Sequence, residues 1–315
     1  MADTRNSSLL GAGWRRLLVA RRYVIRLYVI NLALGLAATA SLSPRIGAVL
    51  DSSLYSGRLV HGFDLGTFME LAARPETARG TQMSASVLLA IAFLIIEIFF
   101  VGGMLAEYLA VARLERGRFY AACGDNFWKM VRLAILFAIA AAITAGILHG
   151  IRTGLGRAFE YSPRERWAFA VQCLVLFIEG LALLWVRMWF DLAQTYTVAS
   201  GERAIRRSAR QGWRHARAGG LYGAYFALAV LTVAVVVLGS WFWWSIAPAS
   251  QVFVSFIILQ AILFCTLAIR WWQRALAVAW WERHVPAPAV EPVMVTEPAV
   301  AVTPPPPLSP PEPAT

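Results

Sequence analysis

The feature that most limits what this chain can fold into is a set of six apolar stretches, each about 18 to 25 residues long. At 1.5 Å per helical residue, each stretch is long enough to cross roughly 30 Å of hydrocarbon. In that medium every peptide group needs an internal partner, and a helix supplies one for each. The windows are Val24–Leu42, Val87–Leu105, Leu133–Ile151, Trp167–Phe190, Leu221–Trp241 and Val252–Ile269. Composition agrees, with 59% of residues apolar and 15% charged, whereas a soluble chain carries roughly 25% charged residues. The expected fold class is all-α, a polytopic membrane domain over residues 1–284. A tail at 285–315 holds 11 of the 15 prolines and is expected to be disordered, with polyproline II character, as a tether or docking peptide.

Six crossings place both termini on one side, and positive residues near span ends are retained in the cytoplasm. With the N-terminus inside, 21 of the 29 basic residues fall inside, and the eight outside share their loops with six acidic ones. Tryptophan gives a second signal. All 13 lie at or near the ends of spans or on the basic segments beside them, where an amphipathic ring prefers to sit. The location expected is a bacterial inner membrane, multi-pass, with both ends cytoplasmic. A pI near 10.3 then reflects the distribution of charge across the membrane and implies no nucleic-acid partner.

A basic stretch precedes the first, third and fifth spans, which points to a threefold repeat of amphipathic interfacial helix, span, outer loop and span. In the third copy Ile205, Ala209, Trp213 and Ala216 share one helical face, and Arg206, Arg210, Arg214 and Arg217 follow one residue on. The second copy pairs Phe119, Cys123, Phe127 and Val131 with Arg118, Lys129 and Arg132. The first pairs Leu10, Trp14, Leu17 and Leu18 with Arg15, Arg16 and Arg22. Gly13, Gly124 and Gly212 stand near an aromatic in each. These ten cations are the candidate contacts for anionic lipid headgroups, each worth roughly 1 kcal/mol near the surface.

Inside the spans, Glu97 and Glu179 are the sharpest candidates, since a carboxylate near the centre of a membrane helix costs about 2.5 to 3.5 kcal/mol unless it is protonated or paired. They are eleventh and thirteenth in their windows, so a repeat would make them equivalent, and Asn31 is a candidate partner. Arg187 and Asp191 are spaced to pair along one helix face, while Gly102 and Gly103 permit close approach by a neighbouring helix. The three cysteines show no CxxC spacing and the four histidines no cluster, so no disulfide, metal or cofactor is expected. The outer loop from Ser43 to Gln82 is long enough for two short surface helices.

Three passages carry a resemblance to a family: His61-Gly62-Phe63-Asp64; Phe100-Val101-Gly102-Gly103-Met104 leading into Phe119-Tyr120-Ala121-Ala122-Cys123-Gly124; and Asp191 through Ala204 and Ser208. Over residues 10–282 the chain resembles an uncharacterised bacterial six-span family, similar to the membrane domain that precedes some glycerophosphodiester phosphodiesterases. There a separate domain does the chemistry, so the resemblance implies no reaction for this one. The sequence holds no HExxH, GxSxG or GxxxxGK[ST] motif. The function expected is therefore that of a non-catalytic membrane protein whose partners are lipids or other membrane proteins. The alternative is a small-solute or ion transporter using Glu97 and Glu179.

Overall fold

The computed structural model describes residues 8–51, 81–159, 165–217, 219–246 and 252–285. The surface helices expected in the outer loop, the His61–Asp64 passage and the proline-rich tail beyond Val285 lie outside the described residues. Those described form eight helices: α1 (Leu9–Val19), α2 (Arg21–Asp51), α3 (Thr81–Ala110), α4 (Arg116–Phe159), α5 (Glu165–Ser200), α6 (Ile205–Ala216), α7 (Leu221–Ile246) and α8 (Val252–His284). Six of them, all but α1 and α6, are long and apolar enough to cross a membrane. Ser8 caps α1 by accepting a hydrogen bond from the Gly11 amide at 3.2 Å, which satisfies one of the amides left free at a helix start. Ahead of α6, the carboxylate of Glu202 accepts from the Ala204 amide at 3.1 Å and from Arg207 at 2.8 Å.

The helices fall into three hairpins, α2 with α3, α4 with α5, and α7 with α8, and the basic stretch ahead of each hairpin docks on the second helix of the hairpin before it. α6 lies on α5, where a Cβ at Gly212 would come within 2.8 Å of the Ala193 backbone nitrogen. α1 lies on α8, where a Cβ at Gly13 would come within 3.2 Å of the Leu276 backbone. The second stretch differs in form, because residues 116–132 run without a break into the third span as one 44-residue helix. Its start packs on α3 with the small residues reversed: Gly102 and Gly103 are on the span, facing Asn126, Ala122, Cys123 and Phe119. Gly124 has open space around it and takes no part. α1 on α8 closes the ring, so the three copies are arranged cyclically and both ends of the described chain meet at one end of the bundle. We call this the basic end.

Equivalent positions follow from the close contacts. Aligning Gly103, Ala193 and Leu276 also aligns Val111 with Gly201, and these two residues have left-handed φ of 51° and 66° directly after α3 and α5. A glycine adopts that conformation freely, whereas a β-branched valine is strained there.

Packing is concentrated toward the basic end. Leu17, Tyr23, Leu27, Met104, Tyr108, Phe119, Met130, Met188, Leu276 and Trp280 are all buried, and Tyr23 stacks on Phe119 at 3.5 Å. Away from it, side chains such as Leu88, Ile143, Phe169, Val237 and Phe253 are exposed on the hairpins. That is the surface a lipid environment covers.

Candidate functional site

The second helices of the three hairpins, α3, α5 and α8, touch one another at the centre of the bundle. Six residues before the aligned contact positions stand Glu97, Arg187 and Arg270, and two residues before them Val101, Asp191 and Arg274. One level of the bundle thus carries one carboxylate and two guanidiniums. The next level, one turn nearer the basic end, adds a carboxylate and a third guanidinium. Glu97 Oε1 is approached by Arg274 at 3.3 Å and Arg270 at 3.4 Å. Asp191 sits between Arg274 at 3.8 Å and Arg187 at 3.9 Å. Those two distances are too long for hydrogen bonds, and the Nε atoms of Arg187 and Arg274 are buried without a hydrogen-bond partner among the described residues. Asp191 is instead fixed by the Tyr225 hydroxyl, which donates to Oδ2 at 2.9 Å and has the Gln273 carbonyl at 3.0 Å as its other acceptor. Arg274 also lies over the Trp271 ring, 4.4 Å from its centroid, a position that suits a planar cation with few anionic partners.

Above the cluster, on the side away from the basic end, a cleft of about 510 Å³ is lined by residues of α2, α3, α5, α7 and α8. Glu97, Arg187 and Arg270 form its floor, and Asn31 is on its wall. The structure therefore brings together two of the three intramembrane candidates. Glu179 is not in the cleft. It lies about two turns from Arg187 along α5, half-buried, with its Oε2 buried and without a hydrogen-bond partner among the described residues. The expected equivalence of Glu97 and Glu179 is corrected, since counting from the ends of apolar windows ignores where helices touch. The positions equivalent to Glu97 are Arg187 and Arg270. Arg270 and Arg274, which are not among the site residues expected from the sequence, both reach Glu97, Arg274 from a buried position and Arg270 from a partly exposed one. Their i, i+4 spacing matches that of Arg187 and Asp191 on α5, and the match was the available signal.

The ten surface candidates divide. Arg15, Arg118, Arg132, Arg206, Arg210, Arg214 and Arg217 are exposed, and Lys129 is half-buried, its Nζ donating to Asn126 at 3.2 Å. On α6 the opposite side, Ser208, Gly212 and Ala216, is buried against the bundle. Arg16 and Arg22 are instead engaged by protein groups. Arg16 grips both oxygens of Glu282 and donates to the Tyr108 carbonyl at 2.7 Å. Arg22 donates to the Leu114 carbonyl at 2.5 Å and lies 3.4 Å from the buried Glu107. On α6 itself, the His215 ring is 4.9 Å from that of Trp281. Burial, then Arg214 and His284, hold its pKa below the usual histidine value.

Three apolar hairpins closed around a buried ionic cluster define an integral membrane protein of the polytopic helical class. No protein-family model, curated protein or solved structure matches the chain.

Proposed function

We propose that this is a non-catalytic protein of the bacterial inner membrane, with both termini cytoplasmic, that binds anionic lipids or the juxtamembrane parts of other membrane proteins through its basic end. The observation that carries the reading is the two-sidedness of α6. Arg206, Arg210, Arg214 and Arg217 are exposed, while Ser208, Gly212 and Ala216 are buried on the bundle. An amphipathic helix held in that way lays its arginines among headgroups without having to fold on contact. Arg15, Arg118 and Arg132 extend the same charge around the ring of repeats. Liposome flotation tests it: the purified protein should prefer anionic over neutral vesicles, and changing the four α6 arginines to glutamine should weaken that preference. Equal recovery from both vesicle types would overturn the reading.

A second reading, transport of a small solute or ion, is favoured by the cleft that holds Glu97 and Asn31. With Glu179 outside that cleft, it rests on Glu97 and its arginines. Uptake into proteoliposomes that is unchanged by Glu97→Gln would dispose of it.

A further inference from the structure

We propose that the intramembrane cleft binds one oxyanion, a phosphate or a carboxylate, and that an acyl lipid carrying such a headgroup fits it with the chain along the apolar walls. This inference uses residues other than the surface arginines and does not depend on them. Three guanidiniums, Arg187, Arg270 and Arg274, face two carboxylates, Glu97 and Asp191, so one positive charge in the cluster lacks a counterpart among the described residues. An uncompensated cation is unfavourable within a membrane domain and draws in a counter-charge.

The geometry shows where that charge is available. Arg274 is 6% exposed and held between Glu97 and Asp191, whereas Arg270 is 45% exposed and shares the single oxygen Glu97 Oε1 with it. Arg270 lies on the floor of the cleft, beside Arg187. Two planar guanidinium forks lining one cleft match the oxygens of a phosphate or carboxylate better than any neutral group. Asn31 and Gln273 contribute amide groups, and Phe93, Val233 and Leu267 are among the apolar wall residues. About 510 Å³ is the size of a site for a headgroup with the start of a chain.

Native mass spectrometry of the delipidated full chain in neutral detergent tests this. The probes are a lysophosphatidylglycerol, the monoacylglycerol of the same chain, and inorganic phosphate. One lysophosphatidylglycerol per protein should be retained about tenfold more tightly than the uncharged analogue. Arg270→Gln should abolish the difference. Ala229→Phe, which fills the cleft and changes no charge, should block binding while leaving the melting temperature close to that of the wild type. The variant with the four α6 arginines changed to glutamine should bind as the wild type does, which separates this site from the surface. Inorganic phosphate that competes with the lipid, or saturates the site alone, supports the oxyanion and assigns it to headgroup or solute respectively. Equal retention of charged and uncharged lipids without phosphate binding, or wild-type binding by both Arg270→Gln and Ala229→Phe, overturns the proposal.

Discussion

Replacing Glu97 by glutamine keeps the shape of the side chain and removes the charge on which two arginines converge. At an effective dielectric of about 20, an ion pair at 3.3 to 3.4 Å corresponds to about 5 kcal/mol of Coulomb attraction. The Arg270 contact counts for much less, because that side chain is 45% exposed and solvent or headgroups screen it. The Arg274 contact is the one that matters. With Glu97 neutral, Arg274 stays buried with Asp191, 3.8 Å away, as its one anionic partner among the described residues. Breaking a buried pair in this way costs about 3 to 5 kcal/mol. The assay is reversible unfolding in mixed micelles of sodium dodecyl sulfate and a mild nonionic detergent, read by loss of helix signal. The double variant Glu97→Gln with Arg270→Gln returns the charge excess to that of the wild type. It should recover at least about 1 kcal/mol relative to the sum of the two single changes. A Glu97→Gln variant within about 0.5 kcal/mol of the wild type would refute the reasoning and make Glu97 a protonated packing residue.

Further outcomes follow from the same structure. Gly212→Leu should destabilise the protein by about 1 to 3 kcal/mol, because its Cβ meets the Ala193 backbone, while Gly124→Ala, in open space within α4, should stabilise by up to about 1 kcal/mol; parallel unfolding curves check both. Val111→Gly should raise stability by about 1 kcal/mol through relief of the left-handed φ of 51°, seen as a higher midpoint in the same titration. Arg16→Ala removes the Glu282 pair and the Tyr108 carbonyl contact, so α1 should become accessible to limited proteolysis at protease levels that leave the wild type intact. His215 has a folded pKa below its unfolded value, so it contributes nothing to the pH dependence above about pH 6.5. Below that the unfolded chain takes up the proton first, and stability falls until the folded ring is also protonated. His215→Gln should therefore melt progressively higher than the wild type as the pH is lowered from 7.5 to 5, and parallel pH profiles would refute this.

Helix class and the number of long apolar helices were legible in the sequence because they depend on length and hydropathy, which are properties of single segments. The threefold pattern was legible in the basic stretches but not in its register. Register is set by which small residues let two backbones touch, and Gly124, the apparent counterpart of Gly13 and Gly212, turns out to face open space. The close contact there is made by Gly102 and Gly103, recognised beforehand as a pair suited to close approach, with no indication of the partner. The same uncertainty hid the ionic cluster. Glu97 stands out in an apolar run, but Arg270 and Arg274 follow the end of one, where arginines ordinarily serve as headgroup anchors. Only the crossing of α3, α5 and α8 shows that these two reach Glu97. Tyr225 had no signal at all, since a tyrosine near a span end reads as part of an aromatic belt.

The seat of α1 on α8 has a consequence for how the chain is made. α1, the earliest helix among the described residues, rests on α8, the latest of them, so its partner surface does not exist until α8 has been made, and until then Gly13 and Arg16 lack their contacts on Leu276 and Glu282. A cyclic arrangement also has no intrinsic starting point. A circular permutant that joins the two ends by a short polar linker and opens the chain in the short segment between α3 and α4 would keep all three hairpins and every dock.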